Sequence, residues 1–561
     1  MLIDARNLGP DELVRADVCI VGSGPAGVTL ARELADRDVR VVVLESGGLE
    51  LDPAAQELND VHTVGDPFLS PRLTRHRQFG GNSNAWAIKI GDGELGVRYA
   101  PLDAIDLEQR DAVPHSGWPV TLSELQPFYA RAQKVCQIGP NDYSARGWQR
   151  AGSEPLPLDP ARVLTGMFQF GPRAAFFAQY KEELDRSRNV HVYVHATALE
   201  LEADDSLTRV ARLKVGSAPG RTFRVEAKQF VMAMGGIENA RLLLQSNRQQ
   251  AAGLGNAHDL VGRYFMDHPL VDGGLFVPST RARIDDMSLY DLRRVDGTAV
   301  LGRLGLAPQL LRSEGLLNCA LLLFPRPSVR QTDAIVAFKA IAESAAQRAV
   351  PPDLVRKLGQ TALGLDYVLR ASYLAARHKQ SLYHGFGRGG WSELRGNEKR
   401  FQSFQVFMQT EQAPDADNRL VLADDRDAFG SRKLELRWRW GKQNRDSVVR
   451  TQALLAQELA RAGVGRFEIK RVDGEPDLCT PSGVAHHMGT TRMHVDPRQG
   501  VVDATGRVHQ LSNLYMAGSS VFPTGGYANP TLTIVALAAR MADHLKAVLP
   551  SARGLDAHKV A

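Results

Sequence analysis

The chain has 561 residues, with 68 lysines and arginines against 63 aspartates and glutamates, and a net charge of +5 at neutral pH. At 43% hydrophobic and 23% charged residues it has an ordinary globular composition and is too long for one compact core, and so small a charge imbalance excludes an electrostatic nucleic-acid footprint. Cys19, Cys136, Cys319 and Cys479 are scattered, which speaks against a disulfide framework or a zinc site and for a reducing compartment.

The first residues, MLIDARNLGPDELVR, carry acids and no apolar core, and no run of about 18 uncharged apolar residues occurs anywhere. A cytoplasmic protein without secretory signal or transmembrane segment is expected. Val18 to Val21 then form an apolar run of the buried parallel-strand type, followed by the turn GSGPAG. Gly22 makes the tight turn, Gly24 lets the backbone approach a pyrophosphate, and Gly27 allows the next helix to pack closely, with the phosphates on its N-terminus. A second strand, Val41 to Leu44, ends in Glu45, the distance at which an acid accepts hydrogen bonds from an adenosine ribose. This is a dinucleotide site.

The pattern recurs at QFVMAMGGIENARLLLQS, residues 229 to 246, read as a strand over Phe230 to Met234, a turn at Gly235 and Gly236, and a helix from Asn239. Residues 329 to 380 read as helices broken at Pro351-Pro352, with Leu354, Leu358, Leu365 and Leu369 at helical spacing and Arg348, Lys357 and Arg370 on solvated faces. An amphipathic insertion packed on its own domain is expected, with a lid or partner-docking surface as the alternative. Between 385 and 440, FQSFQVFMQTEQ and LELRWRW alternate as antiparallel strands flooring a second domain.

The C-terminal part carries SGVAHHMGTTRMHVDP at 482 to 497, with His486 and His487, and a third α/β segment at 513 to 545. In the latter Leu514 to Ala517 is a short strand and Pro530 opens a helix. A lone histidine pair is more often structural than catalytic. Here it adjoins a Gly-Thr turn, and the Asn529-Pro530 step starts a helix whose free N–H groups can face an electron-rich ring. A neutral imidazole suits removal of a hydroxyl proton near neutral pH.

Five motifs in order, VGSGPAG, FGGNSNAW (79 to 86), VGRYFMDHP (261 to 269), HHMGTTRM (486 to 493) and NLYMAGSSVFPTGGYANPTLTIVALAARMADHL, make the chain resemble the glucose-methanol-choline (GMC) flavin oxidoreductases, and PLDAIDLEQRD (101 to 111), SGWP (116 to 119) and EQAPDADNRL (411 to 420) resemble their pyranose-oxidase-like and bacterial sugar-dehydrogenase members. The resemblance implies a Rossmann-like α/β FAD-binding domain assembled from residues 1–100, 186–272 and 475–561. It also implies an α+β substrate domain with a large antiparallel sheet from 101–185 and 273–474, the helical insertion at about 329–380 included. It implies FAD held by Gly22, Gly24, Ala26, Gly27 and Glu45 at the ADP end. Gly81, Asn82, Ser83, Asn84 and Ala85 would run beside the isoalloxazine and pyrophosphate, Gly518 and Ser519 at the ribityl phosphate, and Asn529, Pro530 and Thr531 at the pyrimidine edge. Ala85 stands where some members attach flavin through a histidine, so non-covalent FAD is expected.

By the same resemblance His486 is the base and Asn529 its partner in oxidising an alcohol to a carbonyl by hydride transfer to flavin N5, with His487 behind them. His494, where the family usually has glycine, reads as a surface histidine. The implied substrate is a small-molecule alcohol, a sugar or glycoside hydroxyl, with oxygen, a quinone or a redox partner as electron acceptor. A non-sugar alcohol such as a natural product or steroid, a non-redox lyase and a binding subunit of the same fold are the alternatives. No metal is implied, and the oligomeric state is left open.

Overall fold

Val18–Val21 and Val41–Leu44 are continuous apolar runs, buried throughout, because a parallel sheet is covered on both faces. The computed structural model describes residues 1–549 except 91–92, 281, 347, 379–388, 394–400, 473–474, 477–481 and 484. Cys479, the last two residues of the expected insertion and parts of the 385–440 stretch lie outside the described residues.

β1 (Leu13–Val21), followed by helix α1 (Pro25–Glu33), pairs in parallel with β2 (Val41–Leu44) on one side and β3 (Arg221–Met232) on the other. Beyond β2 lie Val190–Val194 and Leu2–Asp4; beyond β3 lie Val210–Ala218 and Thr197–Ala203, and β4 (Leu514–Met516) pairs with Phe230–Met232. The two ends of the chain thus meet in one sheet. α2 (Gly235–Gln245) follows β3, and α6 (Thr531–Val548), after β4, packs on α1.

The second sheet is antiparallel along its path, in the order Gly465–Glu468, Pro269–Pro278, Ser403–Thr410, Cys319–Arg326, Thr298–Leu306, Val163–Pro172, Gly93–Tyr99 and Ile88–Ile90. Its bonding draws the boundaries differently from 1–100 and 186–272, since Ile88–Tyr99 and the strand starting at Pro269 belong to this sheet.

Two expected elements differ. α2 starts at Gly235 rather than Asn239, because buried Asn239 is a clamp: it accepts from the Met234 N–H at 3.0 Å and donates to the Ala517 carbonyl at 3.0 Å, tying α2 to β4. LELRWRW does not join the large sheet. Arg432–Trp438 pairs with Arg419–Arg426 and, in parallel, with Val61–Gly65, making a three-stranded sheet whose Arg419–Arg426 strand packs on α2.

The insertion forms α3 (Val329–Ala346), α4 (Leu354–Leu363) and α5 (Leu365–His378). It rests on α3 through buried Ala334 and Ala337 and on Val368 of α5, yet α4 buries no residue. The expected burial of its apolar face is not what α4 shows. No helix among the described residues is long and apolar enough to cross a membrane.

Candidate active site and dinucleotide cavity

β1 ends at Val21, and Gly22 turns the chain with φ 103°, where a Cβ would lie 2.5 Å from the Ala233 carbonyl oxygen. A Cβ on Gly27 would lie 1.8 Å from the Gly22 oxygen, so only glycine lets α1 pack this closely. Gly24 is different: no atom stands within 4 Å of its ideal Cβ position. It faces a cavity with about 1450 Å³ of empty space, open mouth included. Gly22, Gly24, Ala26 and Glu45 line one part; Gly81, Asn82, Gly518, Ser519, Pro530, Thr531, His486 and His487 line the rest. Neither Gly24 before α1 nor Pro530 before α6 makes a side-chain cap bond, so the first N–H groups of both helices remain available to an anion or an electron-rich ring.

Glu45 is buried, and burial pushes its carboxyl pKa up against bonds from Ser23 and Gly47. Its Oε2 accepts from the Ser23 hydroxyl at 2.6 Å and the Ser23 N–H at 3.2 Å, and its Oε1 from the Gly47 N–H at 2.9 Å, which leaves a lone pair of Oε1 for a ribose hydroxyl. Of the glycine-rich 3₁₀ turn Gly81–Ala85, Gly81 and Asn82 reach the cavity wall. Ser83 and Asn84 instead fold the turn itself, bonding the Gly80 carbonyl at 2.7 Å and the Phe79 carbonyl at 2.8 Å. Gly27, Ser83, Asn84, Ala85 and Asn529 are not wall residues.

Sequence reasoning missed a charged wall. Arg75, Arg77 and Arg241 surround Glu238 of α2 at 2.5, 2.7 and 3.5 Å, and Arg241 also pairs with Asp427 at 2.5 Å. Burial alone would raise the Glu238 pKa, but Arg77, Arg75 and Arg241 hold it well below the carboxylate range. All five side chains line the cavity. Three guanidinium groups against two carboxylates leave a positive excess that suits a phosphate-bearing ligand, so this wall, the open Gly24 and the uncapped α1 N-terminus fit a dinucleotide such as FAD. The only signal was an acid in the first turn after GG, which sequence alone gives no partner.

The histidines are brought together by a backbone bridge. Met266 and Met488 exchange N–H···O bonds at 3.1 and 2.9 Å, which sets Asp267-His268 of VGRYFMDHP opposite His486-His487. Asp267 Oδ1 accepts from the backbone N–H of His268 at 2.7 Å and of His486 at 2.8 Å. Ala485, just before, is held at φ 64°, a left-handed conformation of the kind that concentrates at functional sites. His268 Nε2 lies 3.3 Å from the Gly525 carbonyl oxygen, which can only accept, so Nε2 carries the proton and Nδ1 is a bare acceptor. His486 Nδ1, 2.9 Å away, must then donate. The Nε2 lone pair of His486 is left as the available base, and His486 lines the cavity.

Burial, then the neighbouring His268 and Arg98, lower the His486 pKa well below its usual value, and burial takes His268 down to about 4. Both rings are neutral at pH 7. His487 is a packing residue: its ring lies 5.7 Å from that of Phe265 and 6.3 Å from that of Phe68, its buried Nε2 makes no hydrogen bond, and burial lowers its pKa to about 3. His494 lies off the cavity wall and accepts from the Asp496 N–H at 2.9 Å, fixing a surface turn.

Asn529 is buried, and its Oδ1 accepts from Arg98 Nε at 3.1 Å and Gln409 Nε2 at 3.2 Å. Two donors on the oxygen fix the amide orientation, so that among the described residues its NH₂ has no protein acceptor and is left as a donor next to the wall residue Pro530. Arg98, on the large sheet, reaches Asn529 directly and His486 through its field, which relates the two expected catalytic residues. Arg98, Gln409 and His268 had no assigned role from sequence, although His268 stood in VGRYFMDHP and Gln409 in the strand segment FQSFQVFMQTEQ.

Residues 414–538 match the family description "GMC oxidoreductase" and residues 15–51 match "FAD binding domain". The chain is 27% identical to the fructose dehydrogenase large subunit of Gluconobacter japonicus, covering 95% of this chain and 98% of that protein. It is 25% identical to the 6'''-hydroxyparomomycin C oxidase of Streptomyces lividus over 95% of this chain and 92% of the other. Among solved structures, formate oxidase superposes with a TM-score of 0.53 at 16% identity, covering 96% and 99% of the two chains, a likeness of fold. A nucleotide turn, a cavity wall suited to a dinucleotide and these matches converge on an FAD-dependent enzyme that oxidises alcohol groups, with a C-terminal part of the GMC oxidoreductase kind.

Proposed function

We propose that the enzyme oxidises a hydroxyl of a sugar or glycoside, with His486 as base and Asn529 as the group that holds the substrate oxygen. The observation that carries this is the free Nε2 of His486 on the cavity wall, fixed in its basic tautomer by His268. Two full-length relatives named for fructose and for a hydroxyparomomycin support the carbohydrate class.

Bound non-covalently beside Gly81 and Asn82, the FAD isoalloxazine would supply the hydride acceptor. His486 takes the hydroxyl proton on Nε2 as the C–H bond breaks. The Asn529 NH₂ donates to the oxygen as it gains negative charge, and Arg98 and Gln409 keep that donor aimed. FAD would be held by Glu45 at the ribose, by the open approach at Gly24 and by the helix N-termini before Ala26 and Thr531. Cys19, Cys136 and Cys319 are buried separate thiols, which supports a cytoplasmic setting.

The test is an anaerobic screen of sugars, glycosides and simple alcohols for bleaching of the bound flavin, repeated with His486→Ala. A sugar or glycoside should bleach the wild-type protein, and the variant should keep its FAD while reduction slows by about 10² to 10⁴. Bleaching only by non-carbohydrate alcohols would overturn the substrate class, and an unimpaired His486→Ala the base. Acid precipitation should release the FAD into the supernatant; flavin left on the pellet would contradict non-covalent binding.

A further inference from the structure

α4 is amphipathic but faces the wrong way for a helix packed on its own domain. Val355 is 84% exposed, Leu358 51% and Leu363 67%, while Lys357, Gln360 and Thr361 on the other side are half-buried. α5 repeats the pattern, with Leu365 48%, Leu369 62% and Tyr373 60% exposed at four-residue spacing and Val368 turned inward. The two helices meet at Gly364, which packs on Ala334 of α3. Eight of the 17 large hydrophobic side chains exposed among the described residues belong to residues 329–378. Monomeric proteins rarely concentrate so many exposed large apolar side chains in one segment.

We propose that these apolar faces of α4 and α5 dock the enzyme on an anionic lipid surface. The argument for lipid is charge. Residues 329–378 hold seven arginines and lysines against four aspartates and glutamates, more than half of the net charge of the whole chain. Arg348, Arg356 and Arg370 are exposed, whereas no charged side chain interrupts Val355, Leu358 and Leu363 or Leu365, Leu369 and Tyr373. An apolar stripe, aliphatic but for Tyr373, with exposed basic residues beside it is the build of a helix lying in the membrane interface. No described helix can span a bilayer, so contact would be with the surface alone.

The test is flotation of the FAD-loaded enzyme with vesicles of phosphatidylglycerol and phosphatidylcholine, against phosphatidylcholine alone. Binding is expected to the anionic vesicles and to weaken in high salt. Val355→Asp with Leu369→Asp should abolish it, and Arg348→Gln and Arg370→Gln should each weaken it about fivefold. FAD content and turnover of a dissolved substrate should stay unchanged in all of them, since none of these residues lines the cavity. Failure of the wild-type enzyme to float, or flotation unaffected by the aspartates, would overturn the proposal. So would aspartate variants that split a dimer in sedimentation while vesicles are ignored, which would make the face a protein interface.

Discussion

His268 Nδ1 and His486 Nδ1 meet at 2.9 Å, and because His268 spends its only proton on the Gly525 carbonyl, His486 has to donate in this contact. His268 therefore decides which nitrogen of His486 is basic. It does so from full burial, without touching the cavity wall.

Replacing His268 by leucine removes the acceptor and frees His486 to take the other tautomer or to turn. The flavin reduction rate should fall by about one to two orders of magnitude, less than the roughly 10⁴ that loss of a tautomer-fixing group can cost in a catalytic triad. His268→Gln can accept from Nδ1 and donate to Gly525, so it should restore most of the rate. A merely structural role would show in thermal stability and leave the pH profile in place; here the acidic limb should move in the leucine variant and return in the glutamine one. Equal activity of leucine and wild type would remove His268 from the mechanism.

The acidic limb itself has a fixed sign. As the proposed base, His486 must be neutral, and burial, His268 and Arg98 all lower its pKa, so the reductive rate should rise with pH and level off below the usual histidine value of about 6.5. The limb should be absent in His486→Ala. A plateau reached only above pH 7 would mean that another group titrates.

Gly24 allows a cofactor test that separates binding from folding. Its Cβ direction is open within 4 Å, so Gly24→Val strains nothing in the protein itself and instead puts a side chain where the pyrophosphate would approach. The variant should fold, with an unchanged far-UV spectrum, and purify colourless or with strongly reduced flavin. Full yellow occupancy would move the nucleotide site elsewhere.

Among the described residues Glu238 is the single carboxylate paired with Arg75 and Arg77, with Arg241 at 3.5 Å, and all four side chains are nearly buried. Glu238→Ala leaves three guanidinium groups with only Asp427 opposite Arg241, and removing one partner from a buried pair costs about 3–5 kcal/mol. The denaturation midpoint should drop accordingly, and adding Arg77→Met should recover part of the loss. A neutral Glu238→Ala would show that solvent already screens the cluster.

What could be read from the sequence follows the range of each interaction. The strand-turn-helix at Gly22–Gly27, the strand over Leu514–Met516 and the helix opening after Pro530 are local: spacing and residue type suffice to recognise them. Sheet membership was not, because LELRWRW alternates equally well in either sheet, and only packing of its neighbour on α2 decides. Ser83 and Asn84 were expected at the cofactor, but short polar side chains in a 3₁₀ turn are as readily consumed by the turn's own carbonyls. His268, Arg98 and Gln409 lie 218, 431 and 120 residues from the groups they orient, and no periodicity spans such distances.

His487 offers a pH test that does not depend on activity. Its folded-state pKa is lowered to about 3 by burial against an unfolded value of about 6.5, so as pH falls between these values the unfolded chain binds a proton that the native state refuses. Stability then rises with pH in this window and is lost on acidification, at up to about 1.4 kcal/mol per pH unit for this group, with His268 and His486 adding in the same direction. Phenylalanine at 487 would keep the ring contacts with Phe265 and Phe68, remove a buried nitrogen that has no partner, and bind no proton when unfolded. His487→Phe should therefore equal or exceed wild type in denaturation midpoint at pH 7 and lose stability more slowly between pH 6 and pH 4, by about one proton in the slope. An unchanged slope would mean that His487 titrates in the native protein and is not held neutral by burial.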